Sequence, residues 1–426
     1  MSKNILIFIL KIFAQLTLWR YRPKVVGITG SVGKTSTKEA AFAVLKNKFR
    51  VRQNYKNYNN EIGVPLSIMG LETGGRSLFH WVKVFIKGIL QIIYTKDYPE
   101  ILILEMGADK IGDIDYLTSF IKCDVGVIVA ITEIPAHIEF FRTPEQAAME
   151  KSCLTISLSP RGWAVLNFDD ERVKAMAKTT KARIFSFSAN PESQTNLKIS
   201  NLEIHSDNLE EARMSFKVNY QGSSVPIRLE KALGEHQIYP ALAAISVGLV
   251  FDMNLVEISQ AFKDYEQIGG RMRLLKGIKN SWIIDDTYNA APAAMLGALE
   301  SLKKLEGRKI AVLGDMLELG AYTEKAHRQV GAKVAEAADW LLAVGERAIF
   351  IADEAKKKGL PTDKVFYYVS SEDAGKALQD ILKTGDIVLV KGSQFMRMEK
   401  IVKEVMAEPE KAEELLTRQE EAWLKK

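Results

Sequence analysis

Residues 29–37 read TGSVGKTST. This run lies between an apolar segment, KVVGIT at 24–29, and a helical pattern that places Ala40, Ala41, Val44 and Leu45 on one face. In a strand–loop–helix setting, Gly30 and Gly33 let the backbone approach a phosphate and point N–H groups at it, and the helix N-terminus adds its positive dipole end. Lys34 can reach β- and γ-phosphates, and the Thr35 hydroxyl can bind Mg²⁺. Gly30, Ser31, Gly33, Lys34, Thr35 and Ser36 are therefore expected at the phosphates. The run is the short form G-x-x-G-K-T, because Ile28 stands where the longer pattern has glycine. By itself it implies a nucleoside triphosphate and says nothing about what is done with it.

Such a loop needs a sheet behind it. The runs ILILEM (101–106), VGVIVAI (125–131) and WAVLN (163–167) read as buried parallel strands separated by helix-length segments, the α/β pattern. Residues 181–230 alternate apolar and polar side chains in IFSFS, LKISNLEIHS and ARMSFKVNYQGSSVPIRL. This predicts a small antiparallel subsheet inserted before a helix over 238–250. From about Gly270 a second series appears: WIIDD, KIAVLG, WLLAVG, VFYYV and DIVLVKG, with helical patterns between. The predicted class is α/β: a central P-loop-type ATPase domain with a mostly parallel sheet, then a Rossmann-like doubly wound domain. The expected divisions are an apolar helix at 1–23, a central domain at 24–268 and a C-terminal domain at 269–426. The tail beyond Ala407, rich in Glu and Lys, predicts an exposed helix.

Bulk properties narrow the class further. Over 426 residues, 58 basic against 53 acidic side chains are too even a balance for a nucleic-acid partner. Two cysteines, Cys123 and Cys153, are too few for a disulfide framework or a zinc site and point to reduced thiols in the cytosol. Residues 4–19, NILIFILKIFAQLTLW, fall short of the ~20 apolar residues of a spanning helix. No small-residue cleavage site follows, so a secretory signal is not expected. Two readings stay open: a core-packed helix, or an interfacial helix making peripheral membrane contact. Residues 78–95 form a second apolar helix, suited to a core, a partner or a membrane surface.

The motifs together resemble the Mur ligase family. They are TGSVGKTS (29–36), NYNNEIGVP (57–65), LEMGA (104–108), ITEIPAHIEFF (131–141), EKSCL (150–154), LNFDD (166–170), GEHQIYPALAA (234–244), GGRM (269–272), IIDDTYNAAP (283–292), LGDMLELG (313–320) and VKGS (390–393). They run in family order across residues 24–400. The resemblance implies ATP-dependent amide-bond formation through an acyl phosphate. Its nearest member type joins D-Ala-D-Ala to a UDP-linked muramoyl tripeptide in peptidoglycan precursor synthesis. The enzyme must hold γ-phosphate, carboxylate and amine together and neutralise the transferring charge.

The resemblance also implies roles. Glu105, at the C-terminal end of a strand, suits Mg²⁺ beside Thr35. His137 matches the position that serves a second metal ion. Lys151 matches a lysine that some members carry as a carbamate, an anion formed from a neutral amine and carbon dioxide. Asn60, with Asn59, matches a loop at the nucleotide and acceptor carboxylate. Arg271 can swing onto the γ-phosphate as the C-terminal domain closes. Asp286 matches a nucleotide-contacting carboxylate, with Tyr288 on the same loop. Lys34, Lys151, His137 and Arg271 are the expected catalytic set, in an expected monomer.

The chain departs from the family pattern in two places. Members usually begin with a domain that holds the UDP-sugar, and only residues 1–23 precede the first strand here. That domain is therefore expected to be missing, and residues 1–22 to help the acceptor bind. Gln237 and Pro240 stand where the family commonly has asparagines, one of which helps hold adenine, which puts base selectivity in question. The competing enzyme reading is a similar ligase acting on another carboxylate. The competing non-enzyme reading is an ATP-binding scaffold at a membrane, which would have no need of Glu105, His137, Lys151 and Arg271 together.

Overall fold

The computed structural model describes residues 2–55 and 58–424. The chain opens with α1 (Lys3–Tyr21), β1 (Lys24–Thr29), α2 (Lys34–Leu45), β2 (Val51–Gln53), α3 (Gly63–Met69), α4 (Leu78–Tyr94) and β3 (Ile101–Glu105). It continues through α5 (Asp113–Phe120), β4 (Val125–Ile128), α6 (Pro144–Ile156), β5 (Trp163–Asn167), α7 (Glu171–Ala175) and β6 (Arg183–Ser188). The hairpin strands β7 (Leu197–His205), β8 (Arg213–Tyr220) and β9 (Ser223–Glu230) follow, then α8 (Ile238–Val250) and α9 (Leu255–Ala261).

These strands make one nine-stranded sheet in the order β2-β3-β1-β4-β5-β6-β7-β8-β9. The inner strands are nearly continuous apolar runs because helices cover both faces. On one face α2 packs on α8 through Ala40, Ala41 and Val44. Apart from Tyr239, Leu249 and Val250, α8 is buried all round, as its apolar sequence requires. The predicted antiparallel subsheet is present, but it is smaller than the alternating run suggests. IFSFS is β6, which is parallel to β5, and β7 is parallel to β6. Only β7-β8-β9 is antiparallel, and it extends the same sheet. The crossover through α7 returns β6 in the direction of β5, which period-2 alternation could not reveal.

The second sheet has six strands in the order β10-β11-β15-β12-β13-β14. Its elements are β10 (Arg273–Lys276), β11 (Trp282–Asp286), α10 (Pro292–Lys303), β12 (Lys309–Gly314), α11 (Thr323–Ala337), β13 (Trp340–Val344) and α12 (Ile349–Lys357). They continue with β14 (Val365–Tyr368), α13 (Ser371–Ile381), β15 (Ile387–Lys391), α14 (Glu399–Val405), α15 (Ala412–Leu415) and α16 (Glu421–Leu424). Five strands are parallel, and β10 is an antiparallel edge on β11. The tail is not an exposed helix. Two short helices fold back on the sheet and bury Ala412, Leu416 and Arg418.

In the first sheet the chain leaves β1 toward β2, past β3 on one side, and leaves β4 toward β5 on the other. The loops after β1 and β4 therefore diverge at a topological switch point, where open α/β sheets bind ligands. The carboxyl end of β1 faces those of β11 and β15 across a cavity.

Candidate active site

The phosphate loop leaves β1 at Thr29, whose hydroxyl donates to the Met106 carbonyl (2.8 Å), and Ser31 N–H donates to the Ala130 carbonyl (2.7 Å). Gly33, at φ 79°, takes the left-handed turn into α2. A Cβ there would come within 3.0 Å of Val129. As N-cap it supplies no side chain, so the first-turn N–H groups of α2 are left for an anion. Lys34 Nζ folds back onto the carbonyls of Gly30 (2.8 Å) and Ser31 (3.5 Å). Burial lowers its pKa, and Arg271 adds repulsion, although Glu105 pulls the other way.

Behind the loop, Glu105 is buried at the end of β3. It accepts from the Thr35 hydroxyl (2.8 Å) and from Asn59 Nδ2 (3.2 Å). Asn54 holds the backbone there: its Oδ1 accepts from Glu105 N–H (2.5 Å) and its Nδ2 donates to the Glu105 carbonyl (3.2 Å). One carboxylate and one hydroxyl beside a phosphate loop are the donor set Mg²⁺ takes when substrate phosphates and water complete its octahedron. Among the described residues no group of three or more His, Cys, Asp or Glu side chains is gathered as a metal cluster.

His137 lines the cavity but is otherwise engaged. Its Nδ1 meets a Glu318 carboxylate oxygen, and its Nε2 lies 3.6 Å from Asp109 Oδ1. Glu139 N–H donates to the Glu318 carbonyl (3.2 Å), so this segment joins the two sheets' loops. His137 and Glu105 line the same cavity. Asn60 departs from expectation. Its Oδ1 accepts from Ile62 and Gly63 N–H at the start of α3, and it is Asn59 that enters the cavity. Asn57 of the same motif lies outside the described residues.

Lys151 sits on α6, 2% exposed, its ammonium 5.3 Å from the Phe141 ring centre. Its neighbour Glu150 accepts from the N–H groups of Gly112, Ile114 and Asp115, capping α5 and not pairing with Lys151. Burial and then repulsion from Lys34 bring the Lys151 pKa down to about 7. Near neutral pH about half of it is then the neutral amine, and it is set just behind the cavity wall.

The opposite wall comes from the second sheet. The Arg271 guanidinium lies over the Tyr288 ring at 4.0 Å, and its buried Nε has no hydrogen-bond partner among the described residues. Asp286 pairs with Lys391 (2.6 Å) and accepts from Met272 N–H (3.2 Å), and Lys391 also donates to the Asn289 carbonyl (2.9 Å). Asp285 beneath accepts from Gly270 N–H and from Thr287, and burial raises its pKa to about 6. Arg418, from the folded tail, donates to the Thr287 and Tyr288 carbonyls and pairs with Glu399 (3.1 Å). Nothing in the sequence marked Arg418, since the carbonyls it holds, at Thr287 and Tyr288, lie 131 and 130 residues away. Lys391 stood inside the quoted VKGS run without an assigned role.

The two walls enclose a cavity of about 770 Å³, within the range of small-molecule sites. Ser31, Gly33, Lys34, Thr35, Ser36, Glu105, His137, Arg271, Asp286 and Tyr288 line it; Gly30, Asn60 and Lys151 do not. Gln237 and Pro240 line it too. Gln237 Oε1 accepts from Leu233 and Gly234 N–H, and its Nε2 reaches Gln267 (3.2 Å). Pro240 is in the first turn of α8, where its missing N–H costs nothing.

Comparison with known proteins agrees with this geometry. Residues 87–248 match the Mur ligase middle domain, and residues 270–394 the Mur ligase glutamate ligase domain. The chain is similar to the UDP-N-acetylmuramoyl-tripeptide–D-alanyl-D-alanine ligase of Bacillus subtilis, 29% identical over 93% of this chain and 79% of that protein. To the Mycobacterium tuberculosis protein of the same name it is 31% identical, over 87% and 70%. Its fold is similar to the crystal structure of MurF ligase from Thermotoga maritima in complex with ADP, with a TM-score of 0.75 and 25% identity, covering 95% of this chain and 84% of that one.

Proposed function

We propose that this chain, which belongs to the Mur ligase family, is the ADP-forming ligase that joins D-Ala-D-Ala to UDP-N-acetylmuramoyl-tripeptide in peptidoglycan precursor synthesis. One observation carries the reading. A phosphate loop, with Thr35 2.8 Å from Glu105, lines the same cavity as an arginine whose buried Nε has no partner among the described residues.

ATP enters with its phosphates on the first turn of α2. Lys34 leaves the carbonyls of Gly30 and Ser31 for the β- and γ-phosphates, and Arg271 supplies its free N–H from the other wall. Thr35 and Glu105 would hold Mg²⁺, which would offset charge on the phosphate oxygens. The tripeptide carboxylate attacks the γ-phosphorus, ADP leaves, and an acyl phosphate forms. The amine of D-Ala-D-Ala then attacks the acyl carbon, and phosphate departs as the amide forms and the amine loses its proton. Asp286, with Tyr288, stands at the nucleotide, oriented by Lys391. His137 ties the moving parts together through Glu318.

Lys151 is the carbamate. Its neutral amine adds carbon dioxide, forming N–CO₂⁻ and releasing one proton, and the new anion faces Lys34. The enzyme works in the cytoplasm as a monomer, with residues 24–268 and 269–426 as the two domains that close on substrate. The test is phosphate release by the purified protein, with product mass as readout. Release that needs both UDP-muramoyl-tripeptide and D-Ala-D-Ala supports the assignment. Release indifferent to D-Ala-D-Ala would move it to another carboxylate.

A further inference from the structure

The helix α1 is apolar on two sides. Leu6, Leu10 and Ala14 are buried against α3 and α4, while Ile5, Phe8, Ile12, Leu16 and Trp19 form an exposed stripe. On α4, Trp81 and Gly88 are buried, whereas Leu78, Val82, Ile86, Ile89 and Ile93 are exposed. A soluble surface does not ordinarily carry two such stripes.

The helices lie side by side and run in the same direction. Phe13 packs on Phe85 (5.6 Å between ring centres) and beside Gly88. Further along both helices, Arg20 Nε donates to the Ile92 carbonyl (3.2 Å), and the Tyr21 hydroxyl to those of Gln91 (2.5 Å) and Thr95 (2.9 Å). At about 100° per residue, the α1 stripe lies roughly a quarter turn to one side of its contact with α4, and the α4 stripe roughly a third of a turn to the opposite side of its contact with α1. For parallel neighbours, that opens both stripes on the same side, as one continuous apolar face.

The charges around this face decide its occupant. Neither helix contains an acidic residue, while Lys83 and Lys87 flank the α4 stripe. The C-terminal ends of both helices meet where Trp19 (71% exposed) and Tyr94 (72%) stand with Arg20, Arg22 and Lys96. Aromatic rings beside basic side chains at the rim of an apolar face are the chemistry of an anionic bilayer surface. The helices lie on the bilayer and do not span it, because lifting α1 out would expose Leu66 and Met69 beneath Leu6 and Leu10. The face is also tied to the cavity. Lys3 pairs with Glu61 (2.9 Å), next to the Asn59–Asn60 loop that supports Glu105.

We infer that the α1–α4 face docks this protein on an anionic lipid bilayer, with the cavity held beside the membrane surface. The inference does not depend on which amide the enzyme makes. The experiment is co-sedimentation of the full-length protein with vesicles of phosphatidylcholine alone, or of phosphatidylcholine with phosphatidylglycerol. Binding is expected to the mixed vesicles and to weaken as salt rises. Phe8→Glu/Ile86→Glu, at two exposed positions, should abolish binding and leave phosphate release in solution unchanged. Lys83→Glu/Lys87→Glu should weaken binding to the mixed vesicles roughly tenfold or more. Absence of wild-type binding to either vesicle would overturn the proposal. So would wild-type dimers in light scattering that Phe8→Glu/Ile86→Glu converts to monomers, since the face would then belong to a second copy of the chain.

Discussion

The two walls of the cavity hold their charges in opposite ways. On the second-sheet wall the buried charges are paired: Lys391 with Asp286, and Arg418 and Arg397 with Glu399. On the phosphate-loop wall they are not. Among the described residues Lys34 has two carbonyls, and Lys151, just behind that wall, has an aromatic ring. A buried pair fixes geometry, whereas a desolvated cation without a counter-ion raises the energy of the empty site and is relieved by an anion. The difference shows where the ligand's negative charge goes. Arg271 is the exception that fits: it stands on the paired wall, yet its Nε is unsatisfied and it faces the loop.

The sharpest break of this contrast is Lys34→Ala. It should lower phosphate release by roughly a thousandfold, about 4 kcal/mol of transition-state stabilisation. Thermal unfolding should be unchanged or later, because the lysine satisfies nothing but backbone carbonyls. Near-wild-type turnover in the folded variant would remove the phosphate assignment.

Arg418→Met is the corresponding test of the paired wall. It leaves Glu399, which is fully buried, with Arg397 alone. The expected loss is about 3 kcal/mol in denaturant unfolding, the lower end for breaking a buried pair. Arg418→Lys should recover part of it. A variant that unfolds like wild type but has lost turnover would make Arg418 a ligand contact and not a brace.

Lys151 lies between these cases. Its pKa is near 7 in the folded protein and 10.5 in an unperturbed lysine. Between those values the unfolded chain holds a proton that the folded chain lacks, so stability should rise with pH across that window. Below it both states are protonated and burial opposes folding in full. Lys151→Met should therefore stabilise the protein more at pH 6 than at pH 10. It should also lower turnover about a hundredfold, the size expected for a group supporting a metal site. Formate should restore part of the activity if a carbamate anion is what was lost. Retained turnover in Lys151→Met would exclude that role.

Which parts of this were legible in the sequence follows from range. The phosphate loop is local: strand, glycines, lysine and helix are contiguous, and the structure keeps them together. Glu105 was legible for the same reason, as the last residue of an apolar strand. Arg418 was not, because a Glu- and Lys-rich tail looks solvated until its partners at Thr287 and Glu399 are known. The strand β10 was too short, as RLLK, to show a period. Periodicity marked α1 as apolar, but a helix apolar on two sides cannot say which side is covered. The contact of His137 with Glu318 was not legible, because Glu318 comes from a loop of the other sheet.

The finest distinction is between Asn59 and Asn60, adjacent amides that sequence alone could not tell apart. The Asn59 carbonyl is held by Gly107 N–H (2.8 Å), so Asn59→Ala leaves the loop in place and removes only the bond to Glu105. Glu105 then keeps Thr35 but loses its second orienting donor. The expected result is about a tenfold weaker dependence on Mg²⁺, read as the metal concentration for half-maximal phosphate release, with unfolding unchanged. Asn60→Ala instead removes the acceptor for two N–H groups at the start of α3. It should cost about 1 kcal/mol of stability, as a lost helix cap does, and leave the metal dependence where it was. The two profiles are opposite, so the pair tests the wall and not merely the loop. If Asn60→Ala shifts the metal dependence and Asn59→Ala does not, the sequence-based choice of Asn60 is right, and the loop must turn over when nucleotide binds. If neither shifts it, Thr35 alone orients Glu105, and the phosphate-loop wall is held entirely from the side of α2.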